Sequence, residues 1–85
     1  NEKIELLKKI RISADKNYIS DLRNNIAFTY VQVKDSIFSI DDYSLDEWNN
    51  AIKYINQKDL SFNTKKEAKK YLYIFMFIKA RLNDL

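Results

Sequence analysis

The chain contains no glycine and no proline among its 85 residues, and that double absence restricts the fold more than any motif in it. Two-residue β-hairpin turns need positive φ angles, which Gly or an Asn-Gly pair normally supplies. None is present. Helices joined by short Asn, Asp and Ser loops can do without both residues, so the absence favours helix over sheet. It also removes the usual markers of where helices stop. Enough apolar material remains for a core, since 46% of the residues are hydrophobic; disorder is disfavoured. Eighty-five residues make one domain, spanning 1–85.

Four helical segments follow from periodicity and caps. The first covers about residues 2–12, with Ile4, Leu7 and Arg11 along one line and Leu6, Ile10 and Ala14 beside it. Residues 13–17 are polar and offer Asp15 or Asn17 as the next N-cap. The second covers about 18–40. At 100° per residue, Ile19, Leu22, Ile26, Tyr30, Val33, Ile37 and Ile40 fall within roughly 60° of one line, with Phe28 alone among the polar positions. The rival is a hairpin with strands near 26–33 and 37–40, supported by the β-branched and aromatic content. The third covers about 45–57 and opens on Ser44-Leu45-Asp46-Glu47, a capping box in which Ser and Glu each satisfy an orphan amide. Trp48, Ala51, Ile52 and Ile55 form its apolar face. A loop anchored by Leu60 and Phe62 follows. The fourth covers about 65–83 and opens on a second box, Thr64-Lys65-Lys66-Glu67. Its stripe is Ala68, Tyr71, Leu72, Phe75, Ile78 and Leu82, but residues 71–78 are apolar or aromatic all round. Such a helix is central or meets a partner. The expected fold is all-α, a small four-helix bundle.

The residue inventory leaves little for catalysis. With no His and no Cys, there is no imidazole base, no thiolate nucleophile and no thiolate zinc site. Lack of Gly excludes a phosphate-cradling loop. Asp41, Asp42, Asp46 and Glu47 are the sole carboxylate cluster, read as loop and helix-start charge; they lack the alternating pattern of a calcium loop. The expectation is a non-enzyme with no cofactor, no metal and no small-molecule substrate. No segment reaches the roughly 18–20 apolar residues of a membrane span, and no signal peptide is visible. Localisation stays open, leaning to the cytoplasm. The chain opens on Asn1 rather than Met, as a trimmed or processed product would. Lys, Asn, Ile and Tyr make up nearly half of it, the bias of an AT-rich genome.

Charge is unevenly distributed within a net of +3: residues 41–60 carry two cations against five acids, residues 61–85 six against two. Lys65, Lys66, Lys69 and Lys70 sit in the first turns of the fourth helix, where they oppose the helix dipole. They are the candidate surface for an anionic partner: a nucleic acid, an anionic membrane or an acidic protein face. The other candidate surface is aromatic. If Tyr71, Phe75 and Ile78 face the core, Tyr73, Met76 and Phe77 point outward, and Phe28 adds an isolated ring. These types are enriched in interfaces. The expected function is therefore a protein-binding module, such as an inhibitor, an immunity-type protein, an adaptor or a small subunit, binding through Tyr73, Met76, Phe77 and Phe28. A homodimer through the fourth helix is its variant. A nucleic-acid-binding regulator using Lys65–Lys70, or a peripheral membrane protein, is the alternative.

Overall fold

The computed structural model describes residues 5–15 and 18–83. Among them are five α-helices and one 3-10 turn, with no strand: α1 (Glu5–Ser13), α2 (Ser20–Asn24), α3 (Ile26–Val33), the 3-10 turn (Ile37–Ser39), α4 (Leu45–Asn56) and α5 (Lys65–Asn83). The architecture is a small helical bundle, as the sequence implies, and the hairpin alternative falls because 26–33 is helical. The first expected helix begins in residues 2–4, which lie outside the described residues, as does the cap candidate Asn17.

The expected continuous helix over 18–40 is interrupted twice. Asn25 adopts φ −127°, ψ 55°, outside the helical region, and separates α2 from α3. Asn is a poor interior helix residue because its side chain competes for backbone groups. Its amide closes α2 on the Asp21 carbonyl at 2.8 Å, and its carbonyl accepts the Thr29 amide and hydroxyl, each at 3.0 Å. The second interruption follows Val33. Ser36 donates its hydroxyl to the Val33 carbonyl, and Ser39 donates to the Ser36 carbonyl at 2.8 Å. These local bonds tighten the chain into the 3-10 turn. After the Asn25 break the phase moves. Thr29, Val33 and Ile37 become the buried line, while Ile26 and Tyr30 are half-buried. Asp15 does not cap α2. It ends the α1 turn in the left-handed region at φ 55°, and the position before α2 is Ile19, with no side-chain cap.

The caps of the last two helices form differently. Ser44 Oγ accepts the Glu47 amide at 3.2 Å, but Glu47 does not return the bond, and its Oε2 is buried without a partner among the described residues. Thr64 Oγ1 accepts the Glu67 amide at 3.1 Å and donates to the Glu67 carboxylate at 3.2 Å. α4 buries the four expected residues, Trp48, Ala51, Ile52 and Ile55, and ends on Gln57 in the left-handed region at φ 60°. The following loop is held by Asn49, whose side-chain amide donates to the Phe62 carbonyl and accepts the Phe62 amide at 2.8 Å.

The core joins Leu6, Leu7, Ile10 and Ala14 of the α1 segment to Leu22, Val33, Ile37, Ile40, the α4 face and Ala68, Leu72 and Met76 of α5. Each fully buried Leu, Ile or Met side chain contributes roughly 1.5–3 kcal/mol. α5 lies against α3, α4 and the 3-10 turn, and α1 lies against α4. The radius of gyration is 11.7 Å, near the roughly 12 Å expected of a compact chain of this length.

Candidate functional site

α3 and the turn after it run antiparallel to α5, and the seam between them is aromatic. Tyr30 meets Phe77 edge-on at 5.7 Å and Tyr73 edge-on at 5.5 Å; Tyr73 then meets Phe38 at 5.4 Å. The order Phe77–Tyr30–Tyr73–Phe38 is thus a continuous strip of four rings. Edge-to-face pairs at these distances are favourable contacts for aromatic quadrupoles. The Tyr30 hydroxyl donates to the Tyr73 hydroxyl at 3.3 Å. That bond, then burial, raises the Tyr30 phenol above its ordinary pKa. Both tyrosines are half-buried, while Phe38 and Phe77 leave 51% and 41% of their surface exposed.

The expected outward set on α5 is therefore rotated. Tyr73 and Phe77 do reach the surface strip. Met76 does not, being fully buried in the core beside Leu72. Ile78 and Leu82, expected inward, are exposed. The reason is geometric: the buried line of α5 is Ala68, Leu72 and Met76 at i, i+4, i+8, one position round from the line through Phe75 and Ile78. Phe28 is half exposed but belongs elsewhere. It lies two residues from Tyr30, roughly 200° away around α3, and shares its side with exposed Val31. Reading the sequence as one long helix misses Tyr30 and Phe38 as members of the strip, because it assigns Tyr30 to the core stripe and gives Phe38 no role.

The lysine cluster divides as well. Residues four apart share a line, so Lys65 and Lys69 face one way and Lys66 and Lys70 another. Lys69 is 6% exposed. Its ammonium donates to Asp41 Oδ1 at 3.2 Å and to the Phe38 carbonyl at 3.4 Å, and it lies 5.5 Å from the centre of the Trp48 ring. Lys65 approaches the same carboxylate at 4.0 Å. The hydrogen bond from Lys69, then the charges of Lys69 and Lys65, hold the Asp41 carboxyl below its ordinary pKa. The anion expected from outside is thus met, for these two lysines, by the chain's own acidic loop. Opposite charge in residues 41–60 and 61–85 was the signal for that pairing. Lys66 and Lys70 remain exposed.

A polar cleft of about 440 Å³ lies where Asp46, Glu47 and Asn50 of α4 approach Ser61. Lys53 at its edge pairs with Asp59 at 3.4 Å. Among the described residues, no group of His, Cys, Asp or Glu side chains is placed to hold a metal ion, and no helix is long and apolar enough to cross a membrane. No protein-family model, no curated protein and no solved structure matches the chain.

Proposed function

We propose that the chain is a non-catalytic protein-binding module that engages its partner through the aromatic strip on α3 and α5. The observation that carries this reading is the continuity of Phe77, Tyr30, Tyr73 and Phe38 with two of the four rings half in solvent. Ring surface left in water has a free-energy cost of roughly 25 cal/mol per Å², which a complementary partner removes. Mutual contacts within the strip restrain the rings before binding, so less side-chain entropy is lost on association. Aromatic anchors backed by fixed neighbours are the usual hot spots of protein interfaces. An inhibitor, an immunity-type protein, an adaptor or a small subunit would all use such a surface.

The test is to recover partners with wild-type bait, identify them, and measure binding of the purified partner to wild type, Phe77→Ser and Phe38→Ser at low and high salt. Each substitution should weaken binding by about tenfold or more, as for a lost hot-spot side chain, and leave the helical circular dichroism unchanged. Binding that persists at high salt in both variants would sink the reading. So would retention of only nucleic acid or lipid at low salt, which would move the function to Lys66 and Lys70.

A further inference from the structure

We infer that the solvent-facing side of the second half of α5 is a docking surface for an acidic amphipathic helix of another protein. The inference rests on the proposed protein-binding function and names the chemistry of the partner. Ile74, Ile78 and Leu82 occupy positions i, i+4 and i+8, so they form one line about 12 Å long. They are 44%, 49% and 58% exposed. Phe77 borders this line on one side. A row of apolar side chains at this spacing is what a second helix covers with its own i, i+4 residues.

Cations surround the line. Lys70 and Arg81 project within about 20° of each other, between Phe77 and Ile74, when α5 is viewed down its axis. The Arg81 guanidinium lies 6.0 Å from the Phe77 ring centre, and the Lys79 ammonium 5.6 Å from the Phe75 ring centre. From Ala68 to Asn83 the helix carries no carboxylate. The dipole favours Lys79 and Arg81 near the C-terminal end, but it accounts for neither Lys70 in the second turn nor the apolar line. An acidic partner accounts for both, by charge complementarity around an apolar centre.

Two other occupants fit less well. A second copy placed by two-fold symmetry would bring the same cations face to face. A membrane would have to take up Lys70 and Arg81 inside the arc, between Phe77 and Ile74, rather than outside its edge.

The probes are a labelled synthetic helix with leucines at i, i+4 and i+8 flanked by glutamates, a counterpart flanked by lysines, and vesicles of phosphatidylglycerol with phosphatidylcholine. Wild type should bind the acidic peptide, more tightly at low salt. Ile78→Ser should weaken this by about tenfold. Reversing charge at Lys70→Glu with Arg81→Glu should switch preference to the lysine-flanked peptide. Equal binding of the two peptides, binding of neither, vesicle binding alone, or a dimer in sedimentation that Ile78→Ser dissolves would each overturn the inference. A native partner lost with Phe77→Ser and Phe38→Ser, yet indifferent to Ile78→Ser and to the charge reversal, would remove this docking surface and leave the aromatic-strip function standing.

Discussion

Lys69 carries an ammonium group to the edge of the core and is held there by a carboxylate, a carbonyl and an indole face. Its stem is packed like an apolar side chain. Lys69→Ala should therefore cost about 1–3 kcal/mol in urea unfolding, from lost hydrogen bonds and lost packing together. Lys69→Met should cost less, because it keeps the stem. Asp41 gives a pH prediction with a definite sign. Its folded pKa lies below the ordinary 3.8, first through the Lys69 hydrogen bond and then through the lysine charges. A depressed folded pKa adds stability that is fully present above the unfolded pKa and is lost as pH falls through the folded one. The stabilisation from this group should therefore be full and independent of pH near neutrality, and should be lost as pH falls below the ordinary carboxylate range. Acid unfolding followed by circular dichroism checks it: Asp41→Asn should flatten the acid limb and leave the alkaline limb unchanged. The sequence offered both halves of this pair as separate charge clusters. It did not show that one lysine of four would be buried, because that depends on where the 3-10 turn brings the Phe38 carbonyl.

At the scale of elements, the ends of helices carry the cost of a chain without glycine. Gln57 caps α4 in the left-handed region, where a Cβ costs roughly 1–2 kcal/mol. Gln57→Gly should accordingly raise stability by about 1 kcal/mol despite the added unfolded-state entropy, seen as a higher urea midpoint with an unchanged slope. A lower midpoint would mean that the Gln57 side chain contributes more than its backbone costs. α4 was legible down to its four buried residues because cap, charge and stripe agree there. The segment 18–40 was not. Its seven in-phase apolar positions implied one unbroken helix, whereas in the structure Asn25 shifts the phase and sends Thr29 inward. α5 was legible as a helix but not in its rotation, since a helix apolar all round has no preferred face until its neighbours are known. That is why Met76, expected outward, is buried in the core, while Tyr73 is half-buried and Phe77 exposed.

For the whole molecule, replacing a core aromatic should cost far more stability than replacing a surface one. Trp48→Ala should cost about 3–5 kcal/mol, a large share of the stability of a small domain whose total is of order 5–15 kcal/mol. Phe77→Ser should cost much less, about 1 kcal/mol from its lost edge contact with Tyr30. Thermal melts of the two side by side test the assignment, and a collapse of the Phe77→Ser protein would place that ring in the core. The same arrangement has an optical consequence. Trp48 is the sole tryptophan, fully enclosed, and belongs to neither proposed contact surface. Its emission should be blue-shifted in the folded protein and move to the red only when the core opens. A ligand seated on α5 should leave that colour untouched, so intrinsic fluorescence reports unfolding alone while a label on the partner reports association, and the two events can be followed independently in one cuvette.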